Sequence, residues 1–138
     1  MKLHTDDLRI IVDCADHEEK EKVLRRLALL KSRIPASRND RTFMIESQDV
    51  LYFETVDKRT FLYTDDAVYE VRLRLYEIEE QLDASFIRIN KSCILNLDKI
   101  VHIRADVGGR ILCTLSNKEK VCVSRQYARD FKQKLGGK

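Results

Sequence analysis

The stretch from Phe86 to Ile100, FIRINKSCILNLDKI, constrains this chain more than any other, because polar residues break what is otherwise a buried apolar pattern. Phe86, Ile87, Ile89, Cys93, Ile94, Leu95, Leu97 and Ile100 can supply core. Arg88, Asn90, Lys91, Ser92 and Asn96 supply donors with little acidic counterweight. A core alone needs no such set. From Val121 a second segment, VCVSRQYARDFKQKL, repeats the mixture of apolar strand and basic, donor-rich sequence.

Charge along the chain points the same way. Residues 1–40 hold 9 basic and 8 acidic residues, residues 41–83 hold 5 and 11, and residues 84–138 hold 12 and 4. The last third is the kind of surface that meets a polyanion, although a basic end is also a common solvated face. At 138 residues the chain can bury a real core without metal or disulfide support, and one compact domain with an appendage is expected. No apolar run approaches the roughly 18 residues of a membrane span. The start, MKLHTDDLRI, lacks an apolar signal region, so a cytoplasmic location is expected.

Cys14, Cys93, Cys113 and Cys122 show no CxxC spacing and no adjacent His pair, and read as reduced, mostly buried thiols. His4, His17 and His102 are too dispersed for a ligand set. No metal or other cofactor is expected.

The LRIIV run within Asp6 to Asp13 reads as a strand, and Asp16 with Glu19 forms a capping-box-like start for a helix from His17 to about Lys31. Ser32 to Asp40, polar and holding the only proline, reads as a linker, with a boundary near residue 40. Beyond it the period becomes extended: FMI, VLYFETV, TFLYT and AVYEVR are predicted strands of a meander. Leu75, Ile78 and Leu82 predict a short amphipathic helix. Strands follow at Phe86 to Ile89, Ile94 to Leu95, Ile100 to Arg104, ILCTL and VCVS, with turns at Gly108-Gly109 and Asn117-Lys118. Ser124 as N-cap and a Tyr127, Phe131, Leu135 stripe predict a final docked helix. The fold class is mostly β with short helices, α+β: a strand-helix segment at 1–40, then a β-rich domain at 41–138.

These residues resemble the LytTR DNA-binding domains of bacterial response regulators. The likeness covers about residues 41–135 and rests on DVLYFET, YEVRLRLYEIEEQL, FIRINKSCILNLDKI and VCVSRQYARDFKQKL in that order and spacing. It implies an elongated arrangement of small β-sheets whose loops, not a recognition helix, enter major grooves of double-stranded DNA. It implies three contacting loops: Lys58, Arg59 and Thr60; Asn90, Lys91 and Ser92; and Ser124, Arg125 and Gln126. Arg88 and Asn96 would support the middle loop. Family members commonly place His and then a basic residue before the middle-loop serine; Asn90 and Lys91 stand there instead, which implies a different preferred sequence. The 40 residues ahead are too few for the receiver domain most members carry. They are expected to form a homodimer contact, suited to paired repeat sites, or to pack on the domain itself.

The side-chain chemistry agrees independently: Lys can donate to guanine O6 and N7, Gln can pair with adenine bidentately, and Arg, Ser, Thr and Asn can hold phosphates or bases. Each has a plainer role. Arg88 and Asn96 could only brace the loop, and Lys58 and Arg59 could be solvated turn charges. No phosphate loop, Ser/His/Asp set or Cys/His pair is present, so no enzyme is expected. A protein-interaction module, with the acidic middle or the first 40 residues meeting a regulatory partner, is the alternative. RNA binding is weaker, since neither RRM sheet aromatics nor a GXXG loop stands out. Tyr52, Phe53, Phe61 and Tyr63 are more simply core or sheet residues.

Overall fold

Period-two alternation of β-branched and aromatic residues with polar ones favours paired extended chain. The computed structural model describes residues 33–136. The expected strand at Asp6 to Asp13 and helix at His17 to Lys31 lie outside the described residues. A seven-stranded antiparallel sheet is built from β1 (Arg33–Arg38), β2 (Arg41–Glu46), β3 (Tyr52–Val56), β4 (Arg59–Tyr63), β5 (Val68–Val71), β6 (Phe86–Asn90) and β7 (Cys93–Asn96). Its order is β2-β1-β5-β4-β3-β7-β6. β8 (Ile100–Ala105), β9 (Ile111–Leu115) and β10 (Lys120–Val123) form a second sheet, ordered β10-β9-β8. Two helices, α1 (Leu75–Gln81) and α2 (Arg125–Lys134), complete the described elements. The fold is mostly β with short helices, as the pattern predicts.

The segment read as a linker is instead strand β1. Ile34 and Ala36 alternate into the core, and β1 meets β5 at Ser37 opposite Glu70, beyond Pro35. A proline two residues from that pairing withdraws no N–H from it. Polar composition concealed two inward apolar positions. The β1–β2 connection is the two-residue turn Asn39–Asp40, and β3–β4 turns at Asp57–Lys58. All four residues have positive φ, between 51° and 66°, the type I′ geometry that matches strand twist.

Two cores share the large sheet. Leu51, Tyr52, Ile89, Cys93 and Leu95 pack with Ile111, Cys113, Leu115 and Val123 of the small sheet and with Ala128 and Phe131 of α2. Val50, Phe53, Leu62, Val71, Phe86 and Ile94 pack with Leu75 and Ile78 of α1 and with Ile34 and Ala36. Successive residues of β7 therefore enter opposite cores, which is why CILN reads as an unbroken run. Tyr52 stacks on Tyr63 at 4.4 Å, and its hydroxyl donates to Glu119 Oε2 at 2.9 Å, tying the large sheet to the β9–β10 turn.

Helix α1 begins where the Glu77 carboxylate accepts from the Arg74 N–H at 2.9 Å, and it buries Leu75 and Ile78. Ser124 occupies the N-cap position of α2, but its hydroxyl caps nothing; the Tyr127 N–H donates to its carbonyl at 2.9 Å. The buried stripe is Ala128 and Phe131 rather than the full expected trio, since Leu135 is 45% exposed.

Phe131 is completely buried where α2 meets both sheets. Phe131→Ala should destabilise the fold by about 3–5 kcal/mol, measured by urea unfolding. Burial pushes the Cys93 thiol up to about 12 and that of Cys113 up to about 11, so both stay protonated near neutrality. A thiol whose folded pKa is raised stabilises fully below its ordinary value near 9 and loses that contribution as pH climbs from there toward 12. Stability should fall across that alkaline window, and substituting both thiols by Ala should flatten the fall. Peptide mapping after alkylation at pH 8 should find both unmodified until the protein unfolds.

Candidate nucleic-acid interface

The three loops expected to meet DNA are laced together by hydrogen bonds. The Thr60 and Thr55 hydroxyls pair across β3 and β4 at 3.4 Å, and the Thr55 N–H donates to the Ser92 carbonyl at 2.8 Å. Asn90 Oδ1 accepts from the Ser92 N–H at 2.9 Å and from its hydroxyl at 3.1 Å, closing the β6–β7 turn on itself. Asn90 Nδ2 reaches the Cys122 carbonyl at 3.5 Å, and the Ser124 N–H donates to the Ile89 carbonyl at 2.9 Å. The middle turn thus holds β3 on one side and the start of α2 on the other.

The expected contact residues divide into two kinds. Lys58, Lys91, Arg125 and Gln126 are exposed, and their polar side-chain groups make no hydrogen bond or ion pair among the described residues. The others are engaged internally. Thr60 is 5% exposed and lies in β4 rather than in the turn. Arg59 also belongs to β4, where it pairs with Glu70 at 2.6 Å and lies over the Phe61 ring. That bridge holds the Glu70 carboxyl below its ordinary range. Ser124 is half-buried at the joint itself.

Asn96 is 1% exposed. Its Nδ2 donates to the Val50 carbonyl at 2.8 Å and its Oδ1 accepts from the Asp98 N–H at 3.0 Å. These bonds anchor the end of β7 to the chain entering β3, away from the middle turn that Asn96 was expected to support. Arg88 also turns elsewhere. It pairs with Glu79 at 3.4 Å and lines a cleft of about 670 Å³ between α1, β6 and α2, where its Nε is buried without a hydrogen-bond partner.

One neighbouring loop was not identified from sequence. The β8–β9 turn packs on the first residue of α2: a Cβ at Gly109 would lie 3.3 Å from Arg125 Cγ, and Gly109 has a φ of 80°. Any larger residue there would meet both the steric and the backbone penalty. Arg110 braces the turn, donating to the Val107 carbonyl at 3.0 Å and lying 3.7 Å from Asp106. The Gly-Gly pair signals a turn, but nothing local in sequence signals its neighbour.

Comparison with known proteins gives the arrangement its family. The model of the LytTr DNA-binding domain matches residues 40–136. This chain belongs to the LytTR family of DNA-binding domains. The sensory transduction protein LytT of Enterococcus faecalis is 34% identical over 75% of this chain and 43% of its own length. An uncharacterized HTH-type transcriptional regulator of Staphylococcus aureus is 34% identical over 67% of this chain and 63% of its own. This chain therefore spans less than two thirds of either relative. The solved LytTr DNA-binding domain of a putative methyl-accepting/DNA response regulator from Bacillus cereus superimposes with a TM-score of 0.73 at 31% identity, covering 76% of this chain and 97% of that one. Among the described residues of this LytTR domain there is no helix-turn-helix, because a run of strands separates α1 from α2. No described helix is long and apolar enough to cross a membrane.

Asn96→Ala removes a buried donor and leaves the Val50 carbonyl unsatisfied. It should lower stability by about 1–3 kcal/mol. At a temperature where the variant is folded, its preference among DNA sequences should match the parent's, measured by competition binding.

Proposed function

We propose that this LytTR domain is part of a transcription regulator that reads double-stranded DNA sequence-specifically, through loops placed in the major groove. The observation that carries the reading is the division of the loop residues. Four exposed donors, Lys58, Lys91, Arg125 and Gln126, have no internal partner among the described residues, while Arg59, Thr60, Asn90 and Ser92 hold the turns that carry them. A turn held by its own hydrogen bonds loses little conformational freedom on binding, so its exposed tip can spend that advantage on contacts. Lys91 and Gln126 are the base readers in this reading, and Lys58 and Arg125 hold phosphates. Arg59 contributes charge and orientation from its bridge to Glu70. Ser124 joins the first turn of α2 to the middle loop, and Arg88 and Asn96 act through the fold.

The residues ahead of β1 dimerise in this proposal, so that two domains meet paired repeat sites and gain affinity through effective concentration. The regulator works in the cytoplasm, without catalysis. A second reading, contact with a regulatory protein, is favoured by the Arg88 cleft, whose buried Nε has no partner.

Selection of random duplexes by the purified chain at near-physiological salt, followed by sequencing, tests the main reading. A paired, enriched motif is expected. An unenriched pool would move the weight to the protein-contact reading. On the enriched site, Lys91→Ala and Gln126→Ala should each cost about 1–3 kcal/mol and relax preference at particular base pairs, with unfolding curves unchanged. Uniform weakening on all sequences would remove either residue from the list of base readers.

A further inference from the structure

Beyond the three loops, the small sheet ends in an edge strand that is unpaired on its outer side among the described residues. β8 is six residues long, holds no proline and pairs with β9 alone. The Asp106 N–H donates to the Arg110 carbonyl at 2.9 Å, so by alternation Arg104 and His102 also turn their backbone groups toward β9. Ile103 and Ala105 turn theirs outward, where no hydrogen bond meets them among the described residues. The opposite edge differs: β10 leads into Ser124, whose N–H donates to the Ile89 carbonyl of β6.

The two side-chain rows of β8 differ in character. Ile103 lies opposite Cys113 and Ala105 opposite Ile111, both buried, so this row belongs to the core side of the sheet. At the edge it overhangs: Ile103 is 40% exposed, and Ala105 is exposed too. His102, opposite Thr114, and Arg104, opposite Leu112, stand on the outer face, which Lys120 shares across Thr114. Residues 100–123 hold two acids, and both are engaged. Asp106 lies 3.7 Å from Arg110, and Glu119 accepts from the Tyr52 hydroxyl. Arg104 makes no ion pair among the described residues.

We propose that the β8 edge is a docking site for an extended segment of a partner protein that alternates apolar residues with Asp or Glu. The segment adds a strand, bonding the outward backbone groups of Ile103 and Ala105. Its apolar residues cover Ile103 and Ala105 on the core side, and its carboxylates face His102 and Arg104 on the outer side. Charge selects this occupant over a second copy. Two β8 strands paired about Ile103 would set each Arg104 against the other's His102 and place two basic faces side by side. A nucleic acid would meet the cations but use neither the outward carbonyls nor the overhanging apolar row. The inference holds with either functional reading, since it uses no residue of the three loops and none of the Arg88 cleft.

The test titrates the isotope-labelled full chain with a blocked peptide of about seven residues alternating Val and Glu, and with its Val and Lys counterpart. The Glu peptide should slow hydrogen exchange at the Ile103 and Ala105 amides and shift the resonances of β8; the Lys peptide should do neither. Arg104→Glu should weaken the Glu peptide about tenfold and admit the Lys peptide. Loss of structure would not produce that reversal. Ala105→Pro removes an N–H that bonds nothing among the described residues, so unfolding should stay close to the parent's while peptide binding is lost. Equal response to both peptides, or protection that leaves out Ile103 and Ala105, would overturn the proposal. Dimerisation in sedimentation that Ala105→Pro abolishes would assign the edge to a second copy and overturn it as well. Protection of the same two amides by a duplex would do so in favour of DNA.

Discussion

The two-sided burial of β7 is the constraint on which the rest of the domain depends. Cys93 and Leu95 enter the core shared with the small sheet, while Ile94 enters the core under α1. A slip of one residue against β3 would exchange the two sets and place each side chain in the wrong core. The Asn96 amide resists that slip by reaching the Val50 carbonyl from the end of the same strand. An amide buried there is stabilising only in the correct register, because any other leaves a desolvated donor without a partner. One strand thus sets the relation between both sheets and both helices, and through it the position of every loop at the interface.

The same strand fixes the middle loop. β6 and β7 pair with a register shift between Arg88 and Asn90, so the hairpin reaches its turn through an irregularity. Asn90 makes that irregular turn stable by accepting twice from Ser92 and reaching toward Cys122. Its side chain is consumed by the turn. Lys91, at the tip, is left with its ammonium free among the described residues. Rigidity and reach are divided between adjacent residues, and this division lets a loop act with some of the precision of a regular element.

Much of the fold was legible because its strands are short and alternate cleanly. Among the described residues, the extended runs beyond residue 40, the short helix at Leu75 and the final helix at Arg125 form where periodicity placed them. β1 was not legible, because proline and polar residues surround only two inward positions, Ile34 and Ala36. At the candidate interface, sequence and family resemblance identified the loops but could not tell which donors are already occupied. Arg59 is engaged by Glu70, and Asn96 by the Val50 carbonyl, 46 residues away. Such partners come from strand pairing between distant segments, so no local pattern announces them. The approach of Gly109 to Arg125 is hidden for the same reason.

The arginines make the point sharpest, because all look alike in sequence. Arg59, Arg88 and Arg110 are each neutralised by a carboxylate within 4.0 Å, whereas Arg125 at the start of α2 makes no ion pair among the described residues. In water an exposed ion pair is worth little, so neutralised arginines mainly orient their surroundings. Unpaired ones keep their full capacity to displace counterions from a nucleic acid. The net charge of +3 conceals this distinction. What decides how the domain meets a polyanion is which charges its own fold leaves unpaired, and Lys58, Lys91 and Arg125 are such charges among the described residues.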